Sequence, residues 1–288
     1  MKVGVIGLGI MGSAMSANLA KKGFKVYGYD IAPKARAALK RAGGVAVASP
    51  SEIFSSAKVI ITSLPSAAAL HSVCSEVEGR GAVVIETSTL PIKDKVKARN
   101  TLKRKGITLL DCPLSGTGAQ AKVGDLVVFA SGDKAAFSKA VPVFKGFSRG
   151  HHYLGEFGNG SKMKFVANLM VAIHNVSAGE AFALGIKAGL SPKAIFDVQA
   201  NSAGTSRMFQ VRGPMMVKGR YDEVTMKNEV WQKDMKIIGD YARSLGVATP
   251  TFKASAGVYK AAMAQGFAKQ DTGAVCAVLE RMSRVRRR

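Results

Sequence analysis

The residues with the clearest chemical pattern in this chain lie close to its amino end. They have the spacing G-x-G-x-x-G and are Gly7, Leu8, Gly9, Ile10, Met11 and Gly12. The first glycine permits a tight turn, the second lets a pyrophosphate approach the backbone, and the third lets a helix pack closely on a strand. A helix that begins here would also present free N–H groups to an anion. The spacing therefore predicts a dinucleotide site, with a purely structural glycine turn as the alternative.

Asp30 is the acidic residue that bears on the choice of dinucleotide. It follows a strand-like run, at roughly the 20-residue offset at which a carboxylate reaches the adenosine ribose hydroxyls. A carboxylate there repels a 2′-phosphate, and the neighbouring Ile31 and Ala32 supply no arginine to receive one. Asp30 therefore favours NAD, with NADP left open. The alternative is an aspartate that caps the turn before Pro33.

Strands and helices alternate in the part of the chain that must position these groups. Residues 2–6 and 25–29 are short apolar runs typical of strands, and helices are predicted over residues 13–22 and 33–41. Further strand-like runs are Val59 to Leu64, Ala82 to Glu86, Ile107 to Leu110 and Leu126 to Ala130. This alternation predicts an α/β fold with an N-terminal Rossmann-type, doubly wound parallel sheet that helices cover on both faces.

The pattern changes after about Phe157. Between Ser161 and Val285 the apolar residues recur with a helical period, and no convincing strand interrupts them. The first of these helices is predicted over residues 162–187. We therefore expect a dinucleotide-binding domain over residues 1–158 and an all-α domain, for substrate binding and dimerisation, over residues 159–288.

Several motifs, taken in this order, resemble the β-hydroxyacid dehydrogenase family of 3-hydroxyisobutyrate dehydrogenase-like enzymes. The motifs that carry the resemblance are Gly7 to Gly12, Leu64-Pro65, Glu86 to Thr89, Asp111 to Ala119, Gly158 to Asn168 and Lys233-Asp234. Together they span nearly all of the sequence. The resemblance implies an oxidoreductase that uses NAD to interconvert a small (C3–C4) hydroxy acid and its semialdehyde or keto acid.

Lys164 and Asn168 are the catalytic residues that this resemblance implies. Their i,i+4 spacing places both on one face of the predicted helix, so they can meet the same ligand. We expect the apolar neighbours of Lys164 to lower its pKa toward the range useful for a general acid or base. The helical period alone favours a surface lysine whose stem lies along apolar residues, and the resemblance reverses that preference.

The resemblance also implies residues that bind substrate and cofactor. Ser115, Gly116 and Thr117 would hold the substrate carboxylate, although Thr117 replaces the glycine that is common there and leaves the substrate's identity open. Lys233 would lie near both cofactor and substrate. The residues expected against the cofactor besides the glycine turn are Leu64, Pro65 and Thr89. Without the resemblance, Leu64-Pro65 would be a strand end, Thr89 part of a helix cap, and Lys233 an exposed charged residue.

The formal charge of +23 arises from 42 Lys and Arg against 19 Asp and Glu, and it predicts a surface that attracts anions. The basic residues are spread along the chain without zinc-finger spacing or a recognition-helix pattern, which disfavours a nucleic-acid partner. We expect a small anionic substrate instead. The arginines at the end of the chain, from Arg281 onward, are interpreted as a solvated tail.

The cysteines and histidines give no sign of a metal site or a disulfide framework, because the 3 Cys and 4 His lack ligand spacing. The longest apolar stretch, residues 165–173, is interrupted by Asn168 and is shorter than the ~20 residues that span a bilayer. No export signal is visible at the amino end. We therefore expect a cytoplasmic protein without membrane contact. Its small, apolar helical half suggests a homo-oligomer, either a dimer or a tetramer.

Two other functions are consistent with the same fold. An imine reductase is the first, although relatives of that kind replace the catalytic lysine and Lys164 argues against it. The second is a non-catalytic nucleic-acid-associated protein on a dehydrogenase scaffold, which the high positive charge suggests. Joint retention of Asp30, Lys164 and Asn168 favours the enzyme.

Overall fold

The elements of the first half of the chain alternate as the sequence predicts. A computed structural model describes residues 1–287. In chain order these elements are β1 (Lys2–Ile6), α1 (Ile10–Lys21), β2 (Lys25–Tyr29), α2 (Pro33–Arg41), β3 (Val45–Ala46), α3 (Pro50–Ser56), β4 (Val59–Thr62), α4 (Ala67–Glu76), β5 (Val83–Glu86), α5 (Ile92–Arg104), β6 (Thr108–Asp111), β7 (Leu114–Ser115), α6 (Gly118–Lys122), β8 (Val127–Ala130), α7 (Lys134–Phe147) and β9 (Gly150–Tyr153).

The second half is helical. Its elements are α8 (Asn159–Lys187), α9 (Pro192–Gln199), α10 (Arg207–Lys218), α11 (Asn228–Ser244), α12 (Pro250–Ala264), a 3₁₀ turn (Thr272–Ala274) and α13 (Val275–Met282). The chain forms two compact units, Met1–Lys164 and a second that begins at Phe165, so the division falls within α8.

Six parallel strands form the main sheet of the first unit, in the order β3-β2-β1-β4-β5-β6. Chain order reverses between β1 and β4, as in a doubly wound sheet, and ligands of such sheets bind at the carboxyl ends of the strands beside this point. Alternate side chains fill two cores, with Val5 and Ile61 on one face and Ile60 and Val84 on the other. The predicted Rossmann-type fold is confirmed.

A second, smaller sheet was not predicted. β8 is the strand-like run at Leu126 to Ala130, but it pairs antiparallel with β7 and parallel with β9 instead of extending the main sheet. A bridge between Asp111 and Ser131 ties this sheet to the end of β6. An apolar run predicts a strand but does not identify its partner, and the sequence signal therefore could not separate the two sheets.

The helical unit is built around an aromatic stack. The ring of Phe209 packs against those of Phe182 and Phe196, with centroids 5.5 and 5.9 Å apart. Each contact brings a different helix to α10, since Phe182 lies on α8 and Phe196 on α9. No strand occurs in this unit within the described residues, which agrees with the helical period of the sequence.

A buried ion pair organises the loop before α11. The Nε of Arg212 donates to Oδ1 of Asp271 at 2.9 Å, and both side chains are almost fully buried. The other oxygen of Asp271 accepts hydrogen bonds from the N–H and hydroxyl of Thr225, at 2.8 and 2.7 Å. Burial raises the pKa of Asp271, but the Arg212 charge and these hydrogen bonds outweigh it and hold the pKa below its usual value.

The arginine-rich end is more ordered than a solvated tail. Arg281 lies in α13, with its guanidinium 4.5 Å from the centre of the Phe267 ring. Arg287 donates to both carboxylate oxygens of Glu280 and to the carbonyl oxygens of Met216 and Val217. The carbonyl groups at the end of α10 attract a cation, so the expectation of a frayed tail was wrong for these residues. Arg288 lies outside the described residues.

Helix α8 is long and apolar enough to cross a membrane by length and composition. Half of its most apolar window is buried inside the protein, as in a core helix. The apolar run noted in the sequence, residues 165–173, is only a part of this helix. The helix therefore contributes residues to both units and is half-buried.

We predict that Asp271→Asn lowers the free energy of unfolding of the helical unit by about 3 kcal/mol or more, because it leaves Arg212 buried without its counter-charge. Urea unfolding followed by the fluorescence of Trp231, the single tryptophan, reports on this unit. The pKa of Asp271 is lower in the folded state than in the unfolded state. The stability that its charge contributes is therefore complete above the unfolded-state pKa and is lost as the pH falls through the folded-state pKa. The free energy of unfolding of Asp271→Asn should thus lie below that of wild type by a constant amount between about pH 5 and 7, and this difference should shrink below about pH 4.

The exposed pair Lys193–Asp197 on α9 provides the control for this prediction. Asp197→Asn should change the free energy of unfolding by less than about 1 kcal/mol. Equal effects of the two substitutions would show that the buried pair does not hold the unit together.

Candidate active site

The glycine-rich turn joins β1 to α1 beside the reversal of strand order. Gly7 has a φ of +91°, and a Cβ there would lie 2.2 Å from the Ser63 carbonyl oxygen. A Cβ on Gly12 would lie 1.9 Å from the Gly7 carbonyl oxygen, so helix and strand could not pack as they do. A Cβ on Gly9 would meet nothing within 4 Å, and no side chain caps the N–H groups of the first turn of α1. The turn thus has the open backbone and free donors that fit a pyrophosphate.

Asp30 lies directly against this turn. Its Oδ2 accepts a hydrogen bond from the Leu8 N–H at 2.7 Å, and its Oδ1 accepts one from the Ala32 N–H at 2.8 Å. The structure also brings Arg36 of α2 to the same loop, where its guanidinium donates to the carbonyl oxygens of Asp30 and Ile31. The sequence interpretation considered only Ile31 and Ala32 as neighbours and did not find this arginine. Arg36 lies six residues after Asp30, in the first turn of α2, too far along the chain for inspection of the adjacent residues to find it.

The ends of β4 and β5 meet beside the glycine turn. The Ser63 N–H donates to the Ile6 carbonyl oxygen, and the Leu64 N–H donates to the Ser88 hydroxyl, both at 2.9 Å. Pro65 is exposed and Thr89 is partly exposed at the same edge. These loops are thus held at the carboxyl edge of the sheet, where the resemblance predicts contact with a cofactor.

Ser115 ends β7, and Gly116 begins the turn that follows it. Both are accessible, and Gly116 has a φ of +132°, which favours glycine. Thr117 has a different role, because its hydroxyl accepts the Gln120 N–H and the Gln120 side chain accepts the Thr117 N–H in a capping box at the start of α6. Among the three predicted carboxylate-binding residues, Ser115 and Gly116 are therefore accessible, whereas the hydroxyl and N–H of Thr117 are used to begin a helix.

A fully buried ionic network lies beneath these loops. The Lys95 ammonium is 2.6 Å from Oε2 of Glu86 and 2.8 Å from Oδ1 of Asp111, at the ends of β5 and β6. All three side chains are 0 to 1% exposed. Burial lowers the pKa of Lys95, but the charges of Asp111 and Glu86 outweigh it and raise the pKa, so the lysine remains protonated.

The same network holds the start of α8. Oδ2 of Asp111 accepts the Ser161 N–H and Oδ1 accepts the Ser161 hydroxyl, each at 2.8 Å. The Gly160 N–H donates to the Ser131 hydroxyl at 2.9 Å. A Cβ on Gly160 would lie 2.3 Å from the Phe129 carbonyl oxygen, so only glycine allows this approach. The first turn of α8 is therefore anchored in the core of the first unit.

Lys164 follows Ser161 by three residues on α8. It is partly buried, whereas Lys162 is exposed and donates to the Asn159 side chain at 3.0 Å. Met163 and Val166 are 41% and 60% exposed, so these two neighbours do not enclose the Lys164 ammonium. The two lysines therefore differ in exposure, and the apolar shielding expected from Met163 and Val166 is weak.

Asn168, one turn beyond Lys164, is buried and donates to Oδ2 of Asp234 at 3.0 Å. The other oxygen of Asp234 lies 3.1 Å from the Lys233 ammonium. Asp234 therefore joins the two site residues predicted in the helical unit. The sequence interpretation named Lys233 and passed over its neighbour. Asp234 falls on the buried face of the amphipathic helix α11. The helical period could therefore have identified it as a buried carboxylate.

Other reactive groups do not form a second centre. Within residues 1–287, no cluster of three or more His, Cys, Asp or Glu side chains is placed to hold a metal ion. Cys112 adjoins Asp111, but burial and that negative charge raise the pKa of its thiol well above the usual value. Its thiol is thus a poor nucleophile.

Two family models match consecutive parts of the chain. The NAD binding domain of 6-phosphogluconate dehydrogenase matches residues 2–155, and the NAD-binding domain of NADP-dependent 3-hydroxyisobutyrate dehydrogenase matches residues 158–279. The first model covers the glycine turn, Asp30 and the Ser115 turn. The second covers α8, Lys164 and Lys233.

Full-length relatives agree with these matches. The chain is 33% identical to L-threonate dehydrogenase of Cupriavidus necator, over 95% of this chain and 94% of the relative. It is 33% identical to glyoxylate/succinic semialdehyde reductase 1 of Arabidopsis thaliana, over 96% and 97% of the two chains. The crystal structure of 3-hydroxyisobutyrate dehydrogenase from Salmonella typhimurium superposes with a TM-score of 0.87 at 28% identity, covering 96% of this chain and 99% of that one. From its dinucleotide turn to its last helices, the chain belongs to the β-hydroxyacid dehydrogenase family of NAD(P)-dependent oxidoreductases.

Proposed function

We propose that this enzyme is an NAD-preferring dehydrogenase that interconverts a small (C3–C4) hydroxy acid and its semialdehyde or keto acid. The observation that carries the proposal is the joint presence, in one unit, of the open glycine turn bound to Asp30 and an accessible Ser115–Gly116 turn. The names of the relatives, which include threonate, glyoxylate and succinic semialdehyde, support a short anionic substrate. The positive charge of the chain favours binding of such anions.

The residues that would hold the cofactor lie at the carboxyl ends of the strands of the main sheet. The backbone of Gly7 to Gly12 would bind the pyrophosphate, Asp30 the ribose hydroxyls, and Leu64, Pro65 and Thr89 the remainder of the cofactor. Bound NAD supplies the hydride acceptor of the reaction. A 2′-phosphate would meet the Asp30 carboxylate, which supports a preference for NAD.

The residues that would act on the substrate each have a distinct role. Ser115 and Gly116 would donate hydrogen bonds to the carboxylate. Lys164 would accept the hydroxyl proton during oxidation and return it to the carbonyl oxygen during reduction. Asn168 would orient that oxygen, and its bond to Asp234 fixes the rotamer that it presents. Lys233 would add positive charge toward the substrate carboxylate or the cofactor.

Neither alternative function is favoured. The relatives are named for hydroxy-acid and semialdehyde chemistry, and the lysine expected of this family is present at position 164. A scaffold without catalysis would have no reason to keep Asp30 against the glycine turn or Asn168 against Asp234. A dehydrogenase accounts for the contact of Asp30 with the glycine turn and for that of Asn168 with Asp234.

We further propose that the enzyme acts in the cytoplasm as a homo-oligomer. Cys74, Cys112 and Cys276 are buried and unpaired, which suits a reducing compartment. Large apolar side chains of the helical unit are exposed, among them Leu184 at 74% and Val198 at 67%. A second copy of the chain could cover such residues, and either a dimer or a tetramer is consistent with them.

We predict that NAD binds more tightly than NADP, and that Asp30→Ala narrows the difference by about tenfold, equivalent to about 1.4 kcal/mol. The substitution removes a repulsive charge and leaves Arg36 as the nearest cation. Adding Arg36→Ala to this variant should weaken NADP binding more than NAD binding. Calorimetric titration of the three proteins with both dinucleotides measures these affinities. Tighter binding of NADP to the unmodified enzyme would contradict the assignment.

We predict that Lys164→Ala lowers turnover by roughly a hundredfold to ten-thousandfold, because it removes the proton-transfer group, and leaves NAD affinity nearly unchanged. The assay follows reduced nicotinamide with 3-hydroxyisobutyrate, glycerate, L-threonate and 4-hydroxybutyrate, and then uses the best of them. The pH profile of turnover should also lose an ionisation in this variant.

Lys162→Ala is the matched control, since Lys162 is an exposed lysine of the same helical turn. Its turnover should stay within about threefold of wild type. Near-normal turnover in Lys164→Ala, with any of the acids, would refute the proposed role. Absence of turnover in the unmodified enzyme with every acid, with either NAD or NADP, would refute the proposed substrate class.

A further inference from the structure

The main sheet gathers basic residues at the edge opposite the glycine turn. In a parallel sheet every strand begins at one edge, and the helices that return between the strands end there. The basic residues at strand starts and at helix ends of the first unit therefore collect on one side. We call this surface the amino edge; its members are Lys2, Lys21, Lys22, Lys25, Lys40, Arg41, Lys58, Arg80, Lys103, Arg104, Lys105, Lys145 and Arg149.

The strand register confirms that these residues are neighbours. Lys2 pairs with Lys25 across β1 and β2. Lys58 precedes Val59, which pairs with Val3 next to Lys2, and its ammonium donates to the Arg80 carbonyl oxygen at 3.0 Å. The Lys22 ammonium donates to the Lys145 carbonyl oxygen at 2.8 Å and joins the ends of α1 and α7. The amino edge thus runs without interruption from β2 past β4 toward β5.

The positive charge of this edge is poorly compensated. Among its members, Arg149 alone has a carboxylate partner within the described residues, Asp125 at 2.7 Å. Glu76 and Glu78, at and just after the end of α4, are the other acidic residues at this side. Further carboxylates of the unit are used elsewhere, since Glu86 and Asp111 bind Lys95 and Asp30 binds the glycine turn.

The helix dipole accounts for only part of this pattern. Cations in the last turn of a helix are stabilised by its free carbonyl groups, which explains Lys21, Lys40 and Lys103. It does not explain Lys2, Lys25 and Lys58, which stand at or just before the first residues of strands, and strands carry almost no net dipole. The helix dipole therefore does not account for this second group, and their shared position favours an anionic ligand.

We propose that the amino edge binds the phosphate backbone of a nucleic acid duplex, without base specificity. Strands lie about 4.8 Å apart, so the edge from β2 to β6 is about 19 Å wide. A duplex carries one charge per ~1.7 Å of its axis, so roughly 11 phosphate charges span that width. The sequence showed no nucleic-acid motif because these residues are scattered along the chain, and only the sheet topology brings them together.

Other partners fit this surface less well. A second copy of the chain would bring like charges together, which opposes self-association through this edge. Large apolar side chains that could insert into a bilayer are scarce here, with Met1 and Val45 as the exposed examples. A row of positive groups along the starts of several strands matches a phosphate backbone instead.

Fluorescence anisotropy of a labelled 20-base-pair DNA duplex, titrated with the full-length enzyme between 50 and 200 mM NaCl, tests the proposal. Neutralisation of about six phosphates predicts a slope of about −5 for log affinity against log salt. The triple variant Lys25→Ala, Lys58→Ala and Arg80→Ala should bind at least tenfold more weakly at 100 mM salt, with a slope smaller by about 3. Its dehydrogenase activity should be unchanged. Saturating NAD should alter duplex affinity by less than about twofold, because the two edges are opposite.

A second triple variant removes the same charge from exposed positions outside the amino edge: Lys93→Ala, Lys134→Ala and Lys139→Ala. It should retain duplex affinity within about threefold. Equal losses in the two variants would show only general attraction by net charge and would overturn the proposal. Absence of duplex binding at 50 mM salt would also overturn it. Binding to phosphatidylserine vesicles that depends on the amino edge, without duplex binding, would assign the surface to membranes instead.

Discussion

The buried ammonium group of Lys95 is the interaction on which the arrangement of the first unit depends. It compensates two carboxylates, Glu86 and Asp111, at the ends of adjacent strands where no water reaches them. One negative charge remains, and the N–H groups of Ser88 and Ser161 stabilise it. Removing the Lys95 charge would leave both carboxylates buried without a counter-charge, at a cost of about 3 to 5 kcal/mol. The ends of β5 and β6 and the start of α8 are therefore fixed together.

This network also explains how a helix that belongs to both units begins in a defined place. Asp111 binds the first turn of α8, and Lys164 follows Ser161 by three residues, so the position of its backbone is set by buried bonds. The positive end of the α8 dipole lies against the Asp111 carboxylate, which lowers the electrostatic cost of burying it. Beyond Lys164, the bond between Asn168 and Asp234 gives the helix a second polar anchor, in the helical unit. The two anchors lie on either side of the proposed proton-transfer group.

Much of the fold could be predicted from the sequence because each signal was local. The glycine spacing of Gly7 to Gly12, the strands on either side of it and Asp30 at the end of β2 all lie in the first βαβ unit, and the doubly wound sheet follows from them. Part of what escaped prediction depends on contacts between distant segments. Lys95 looks like one of many lysines on a basic helix, and only burial distinguishes it from Lys93 and Lys97. The separate pairing of β8 was missed for the same reason. Arg36 beside Asp30 and the capping box of Thr117 are local contacts, and they were missed because the interpretation followed the family motifs and the immediately adjacent residues.

The measurement that tests this account most directly is amide hydrogen exchange in the first turn of α8. First-turn amides of a helix have no partner within the helix and usually exchange rapidly. Because Gly160 and Ser161 donate to buried side chains of the first unit, we expect their amides to exchange as slowly as those in the core of β5. Asp111→Asn should expose the Ser161 amide to exchange. Exchange of Gly160 and Ser161 as fast as that of Lys193, in the exposed first turn of α9, would contradict the claim that the network anchors this helix.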